Sequence, residues 1–368
     1  MSINFEFLKP SASMEVARIA GELKKNGQTV YQLSVGDTHF SPPKTILDKL
    51  QKLPNAFSHY TNSKGIDELL PQIAKKYKSY QASDVMLVPG LKQGIYYALA
   101  ALQKKRLCIL EPAWLGYEAT AILAEYEITS INLYSDNWKK TLLDTNFDVI
   151  LLCSPNNPDG KLFSDSELDV VVEAAKKNSA WIITDFIYDK YIYSSGLTSM
   201  TTIFSYNKLI IGNGFSKSHA MTGFRIGYLL CKDKLIFERM LLIQQNLITC
   251  VSSISQYLIL DFERANSEIN QNAEYYRNNK NLILEIFPEW KEFEPDGGFY
   301  YFIDLSIYGI QDGSVFCENM LRNTGVALVP GSAYGRGFES YVRLSFSTDS
   351  NVLKEGLNKM KIFLNENY

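Results

Sequence analysis

Gly214-Phe215-Ser216-Lys217-Ser218-His219-Ala220-Met221-Thr222-Gly223-Phe224-Arg225-Ile226-Gly227 sets a lysine between the end of an apolar run, Leu209-Ile210-Ile211, and a glycine-containing loop, with an arginine eight positions later. A lysine amine can form a covalent imine with an aldehyde, and a guanidinium can neutralise a phosphate through paired hydrogen bonds. Taken singly, such residues are a surface lysine and a strand-opening arginine. Their meaning comes from what surrounds them.

Working outward, further short apolar runs occur at Val85 to Val88, Leu107 to Leu110, Val149 to Leu152, Trp181 to Thr184 and Ile226 to Leu230, separated by longer helical patterns. Continuous rather than alternating hydrophobicity belongs to strands covered on both faces, as in a mostly parallel sheet, so the fold class is α/β. The residues that follow these runs, Pro89-Gly90, Glu111-Pro112, Cys153 to Pro158, Asp185 and Ser216-Lys217, do more than turn the chain. Ligands of open α/β sheets bind outside the carboxyl ends of the strands, which marks one rim as the expected site. From about residue 266 the pattern changes to a charged helical stretch, a strand at Phe299 to Leu305 behind Gly297-Gly298, and a closing helix near Asp349 to Asn365. A helix capped at Ser13 ends near Gly27 and could pack on either part. The expected division is an N-terminal arm that also joins the small domain (1–40), a large domain (41–265) and a small C-terminal domain (266–368).

A chain of 368 residues is long enough for about two domains on a shared core. Lys plus Arg total 37 against 40 Asp plus Glu, a net charge of -3 without a lysine-rich block, so no nucleic-acid partner is expected. No apolar run reaches membrane-spanning length, and Met1 to Pro10 carries Glu6 and lacks the apolar core of a secretory signal. The expectation is a cytoplasmic protein with no membrane partner. Cys108, Cys153, Cys231, Cys250 and Cys317 are scattered, odd in number and without a C-x-x-C pair, and His39, His59 and His219 lack metal-ligand spacing. Packing thiols and no metal site follow. The 23 Tyr and 20 Phe are dispersed and read as packing. Gly212-x-Gly214 is followed by Lys217 where a dinucleotide fingerprint needs a third glycine, and neither a nucleotide phosphate loop nor a serine elbow occurs.

The lysine loop resembles the signature of the class I/II aminotransferases, fold type I of the pyridoxal-phosphate enzymes. Four more segments resemble the family's in its order: Pro112-Ala113-Trp114 its aromatic loop, Asn156-Asn157-Pro158-Asp159-Gly160 its N-P-T-G element, Asp185-Phe186-Ile187-Tyr188 its D-x-x-Y, and Arg343-Leu344-Ser345-Phe346 its carboxylate-binding segment. The resemblance runs from about Pro10 to Phe346 and is nearest the bacterial aspartate and aromatic aminotransferase branch, on Ala220 to Arg225. It implies a large domain with a mostly parallel sheet between helices, a smaller α+β domain, pyridoxal 5′-phosphate as cofactor, and a homodimer.

The resemblance also implies roles. Lys217 holds the cofactor covalently and, once released by substrate, moves the proton between substrate Cα and cofactor C4′. Asp185 faces the pyridine nitrogen and keeps it protonated. Asn157 and Tyr188 hydrogen-bond the ring oxygen, and Trp114 offers a stacking face. Gly90, Leu91 and Lys92, opening a helix, bind the phosphate with Ser216 and Arg225. Tyr60, in a Y-x-x-x-x-G segment ending at Gly65, reaches the phosphate of the neighbouring subunit. Arg343 clamps the substrate α-carboxylate, and Gly36, in a segment like G-E-P-D-F, lines the substrate pocket with Trp114 and Asn157. Two departures stand out: Gly214 replaces the usual serine or threonine, and Asp37-Thr38-His39 differs from the pocket segment. The expected reaction is transfer of an amino group from an L-amino acid, of aspartate or aromatic/neutral type, to a 2-oxo acid. The alternative is the same cofactor and fold with another outcome, a β-lyase, a synthase or an amino-acid oxidase; a regulator that senses the cofactor is a distant third.

Overall fold

The computed structural model describes residue 8, residues 12–194 and residues 201–368, so the reading of Met1 to Pro10 lies, Leu8 aside, outside the described residues. In chain order the strands are β1 (Tyr31–Gln32), β2 (Val85–Val88), β3 (Arg106–Glu111), β4 (Glu127–Asn132), β5 (Val149–Cys153), β6 (Trp181–Asp185), β7 (Leu209–Gly214), β8 (Gly227–Cys231), β9 (Tyr300–Asp304), β10 (Val326–Ala327), β11 (Val329–Pro330) and β12 (Tyr341–Ser345). Strands β2 to β8 build one seven-stranded sheet of order β2-β8-β7-β6-β5-β3-β4. The run from β4 to β7 is parallel, while β8 is antiparallel to both β7 and β2.

Alternation within a strand sends Val149 and Leu151 of β5 into one core and Ile150 and Leu152 into the other. Both faces are dry, which is why the sequence shows unbroken apolar runs. Each fully buried Val, Leu or Ile contributes about 1.5–3 kcal/mol against the entropy of ordering it. Strand β4 escaped the sequence reading for the opposite reason. It is an edge strand with a single neighbour, β3, and its exposed Glu127, Thr129 and Ser130 interrupt the apolar signal.

From β3 the chain goes outward to β4 and returns to the other side of β3 as β5, so the strand order reverses between β3 and β5. The carboxyl ends of the parallel strands open into a crevice there. The C-terminal part adds an antiparallel sheet β11-β12-β9, and β1 pairs in parallel with β10. The helix Ala12–Lys25 buries Ala20 against Leu321 and Ala327, so the N-terminal helix packs on C-terminal elements. The last helix, Ser350–Asn367, is capped by Asp349, whose carboxylate accepts from Asn351 N at 2.8 Å. One apolar cluster extends from Leu151 and Ile183 through Tyr188 and Tyr191 to Phe299, Tyr301 and Ile303, joining the large sheet to the C-terminal one.

Candidate active site

Loops after β3, β5, β6 and β7 meet Arg343 of β12 and the Gly36-Asp37 segment around a cavity of about 340 Å³, within the range of about 300–1,000 Å³ usual for small-molecule sites. On its floor β6 ends in Asp185, which accepts the Tyr117 hydroxyl at Oδ2 (2.8 Å) and the Ile187 amide at Oδ1 (3.0 Å). Burial pushes the Asp185 carboxyl up to about 6, against those two donors and the charge of Lys217. Lys217 follows β7 and donates to the Gly36 carbonyl. Burial brings its ammonium down to about 8; Asp37 opposes this and the cationic Arg343 and Arg225 add to it. An amine with that acidity is a usable nucleophile and base near neutral pH.

A second end of the cavity is built for an anion. Gly90 precedes the helix Leu91–Leu102 with φ +85°, and no side chain caps that helix. Its first amides are therefore free to meet a ligand, with the helix dipole favouring negative charge. A Cβ at Gly90 would lie 2.3 Å from Arg225 Nη2, so only glycine leaves the guanidinium its place. Arg225 is itself in the left-handed region, φ +51°, closing the turn Thr222–Phe224, and donates to the Thr222 carbonyl at 2.8 Å. The departure at Gly214 has a steric cause. Gly214 pairs with Gly227 across β7 and β8, and a Cβ there would stand 3.0 Å from Gly227 Cα and 3.2 Å from the Ile226 carbonyl oxygen.

The roof comes from the C-terminal sheet and the N-terminal segment. Arg343 is 3 % exposed; Nη1 donates to Asn157 Oδ1 (3.1 Å), Nη2 to the Ser34 carbonyl (2.6 Å), and Nε has no partner among the described residues. Its guanidinium carbon lies 4.3 Å from the centre of the Tyr300 ring. The Tyr300 hydroxyl is 3.0 Å from that of Tyr188, to which Asn157 Nδ2 donates at 3.5 Å. Gly36 passes so close that a Cβ would fall 2.3 Å from the Tyr300 hydroxyl. Asp37 accepts from Thr222 Oγ1 at 3.1 Å, and its carbonyl accepts from Ser347 Oγ at 2.6 Å.

Of the residues singled out by sequence, Gly36, Leu91, Lys92, Trp114, Asn157, Asp185, Tyr188, Ser216, Lys217, Arg225 and Arg343 all line this one cavity. Gly90 stands behind Arg225. Tyr60 is elsewhere, 85 % exposed on the surface. Sequence reasoning missed Tyr117, Cys153, Ile187, Thr222 and Tyr300, and treated Asp37 only as a departure, yet they line the same walls. Tyrosines taken for packing are thus partly site residues; the available signals were the positions of Tyr117 three residues after Trp114 and of Tyr300 just behind Gly297-Gly298. His39 faces away, with Nδ1 3.2 Å from the Tyr276 hydroxyl.

The donor set fits pyridoxal 5′-phosphate. An uncapped helix start, a glycine cradle and Arg225 suit its phosphate; a buried carboxylate suits its ring nitrogen; a poised amine suits its aldehyde. The unpartnered Nε of Arg343 suits a substrate carboxylate. Among the described residues no cluster of His, Cys, Asp and Glu could hold a metal ion, and no helix is long and apolar enough to cross a membrane.

Comparison with known proteins agrees with this chemistry. Residues 28–360 match the family described as aminotransferase class I and II. The chain is 32% identical to an aspartate aminotransferase of Thermotoga maritima over 96% of its own length and 97% of the relative's. It is 31% identical to a (5-formylfuran-3-yl)methyl phosphate transaminase of Methanocaldococcus jannaschii, over 99% and 98%. The crystal structure of an aspartate aminotransferase from Thermotoga maritima superposes with a TM-score of 0.88 at 31% identity, covering 99% of this chain and 100% of that one. The chain belongs to the class I and II aminotransferases, pyridoxal-phosphate enzymes of fold type I that move an amino group from an amino acid to a 2-oxo acid.

Proposed function

We propose that this aminotransferase takes a dicarboxylic amino acid of the aspartate type as its donor and works as a cytoplasmic homodimer. Lys92 carries the donor assignment. Its ammonium lies 5.4 Å from the centre of the Trp114 ring, in the cavity that also holds Arg343, and among the described residues no carboxylate pairs with it. With Lys217 given to the cofactor aldehyde and Arg225 to its phosphate, the two remaining cations of the cavity match two carboxylates, Arg343 taking the α-carboxylate through its fork and Lys92 the distal one as a point charge. Lys92 therefore serves the substrate, and the phosphate is left to the amides following Gly90, with Ser216 and Arg225. Aspartate is also the donor in the name of the Thermotoga relative.

In this reading Lys217 holds the cofactor and, when free, removes the proton from substrate Cα. The bound cofactor supplies an electron sink for that step. Asp185 holds a proton on the ring nitrogen, Asn157 and Tyr188 hold the ring oxygen, and Trp114 covers a ring face. Tyr60, exposed on its own chain, reaches the phosphate site of a second copy. The units are residues 1–40, an N-terminal arm that also joins the small domain, residues 41–265, the large domain, and residues 266–368, the small C-terminal domain.

Absorbance of the holoenzyme and product analysis, with aspartate, glutamate, phenylalanine, tyrosine and leucine in turn, test the donor. Aspartate or glutamate is expected to convert the cofactor to its aminated form with an equal amount of oxo acid. Lys92→Gln should lower kcat/KM for aspartate by about 10–100-fold and leave neutral donors unchanged. A best response to phenylalanine or tyrosine, or Lys92→Gln without effect on aspartate, sinks the dicarboxylate reading.

A further inference from the structure

Under the cavity, Tyr117 makes two contacts that no motif announces. Its hydroxyl donates to Asp185 Oδ2 at 2.8 Å. Its ring meets the Trp114 ring edge to face, with centroids 5.2 Å apart and planes at 89°. Tyr117 is 2 % exposed in the first turn of the helix Gly116–Leu123. The preceding Gly116 lets Trp114 lie over the helix start, since a Cβ there would come within 2.5 Å of the indole. Cys153, the ladder partner of Asp185 across β5 and β6, completes this floor.

We propose that Tyr117 is a positioning residue for transamination: its hydroxyl orients Asp185 as an acceptor at the cavity floor, and its ring holds the Trp114 ring edge to face beside it. The proposal rests on the assignment of Asp185 to the cofactor's ring nitrogen. A desolvated carboxylate drifts toward its neutral acid unless donors hold the charged form. Asp185 has two, one from the backbone of Ile187 and one from Tyr117. Burial and the neighbouring Asp185 keep the phenol far above its ordinary acidity range, so it stays a donor throughout the working pH range. The hydroxyl also removes the freedom of the carboxylate to turn about its last torsion, which is otherwise soft. One side chain thereby couples the electrostatic contact of the ring nitrogen to the stacking contact of the ring face.

A buried tyrosine that only fills space predicts something different, and Tyr117→Phe separates the two because it keeps the ring and removes the oxygen. The measurement is the cofactor dissociation constant of the apoprotein, from quenching of tryptophan fluorescence, as a function of pH between 5 and 8. Tyr117→Phe is expected to weaken cofactor binding about fivefold and to move the acid limb of that profile upward by about half a unit to one unit. Tyr117→His, which keeps an N–H donor, should bring the limb back toward the wild type. Tyr117→Leu should add a loss of indole quenching through Trp114. A wild-type profile for Tyr117→Phe alongside weak binding by Tyr117→Leu would overturn the proposal and leave a packing residue. Asp185→Asn distinguishes the underlying assignment: if it too leaves affinity and profile unchanged, the role of Asp185 falls and the proposal with it. If it weakens binding while Tyr117→Phe does not, the proposal alone fails.

Discussion

The floor and the roof of the cavity are fixed by different kinds of structure. On the floor, Cys153 and Asp185 are direct partners at the ends of adjacent parallel strands, and Lys217 follows the next strand of the same sheet. On the roof, Arg343 reaches Asn157 and Ser34 across 186 and 309 positions of chain. The floor works by desolvation, raising Asp185 to about 6 and lowering Lys217 to about 8. The roof works by hydrogen bonding, and Arg343 Nε, buried there, has no partner among the described residues. An unpaired buried donor is costly, and a substrate carboxylate would relieve that cost. The difference teaches a division of labour: sheet ends hold the groups assigned above to the cofactor, and long-range side-chain contacts hold the arginine assigned to the substrate carboxylate.

Breaking the floor should have the largest effect. Lys217→Ala is expected to lower kcat by at least about 10³-fold and to abolish covalent retention of the cofactor on denaturing gel filtration after borohydride reduction of the imine. Activity within tenfold of the wild type would place the essential amine elsewhere. Breaking the roof should cost less and cost it differently. Arg343→Lys replaces a fork by a point charge and leaves the Asn157 oxygen or the Ser34 carbonyl unpaired, so kcat/KM for the amino donor should fall about 10²-fold with cofactor affinity kept. A variant that lost the cofactor instead would show that floor and roof cannot be separated. The smallest effect sharpens the electrostatic half of the comparison. Because burial lowers the Lys217 ammonium from the ordinary lysine value to about 8, the free amine grows with pH through that point. Capture of pyridoxal phosphate by the apoprotein, followed by stopped-flow absorbance, should accelerate about fivefold from pH 7 to pH 8 and level off above pH 9. A rate still climbing at pH 10 would mean the cavity leaves the amine unperturbed.

The floor was largely legible in the sequence. Asp185 directly follows an unbroken apolar run, and Asn157 and Lys217 lie in the loops behind two others, where a parallel sheet delivers its ligand-binding groups. Strand β4 was not, because an exposed edge strand carries no such run. On the roof, Arg343 could be picked out only through the segment around it. Tyr300 and Tyr117 could not, since nothing in a local pattern separates a buried aromatic that packs from one whose hydroxyl meets Tyr188 or Asp185. Asp37 looked like a blemish in a motif until the fold brought Thr222 to its carboxylate. Gly214 was legible as a departure, but its cause, a glycine facing it across β8, belongs to the ladder.

The crossing of Leu33 to Asp37 beneath the last sheet also bears on how the molecule is made. Ser345 N donates to the Leu33 carbonyl and Arg343 to Ser34, so the crossing segment leaves the ribosome long before its partners are synthesised. Strands β3 to β7 need only residues 106–214 to find one another. A nascent chain can therefore assemble the sheet that presents Lys217 and Asp185 while residues 33–37 still await their partners. Completion of the catalytic cleft is then a late event, limited by the search between distant segments rather than by the stability of the sheet.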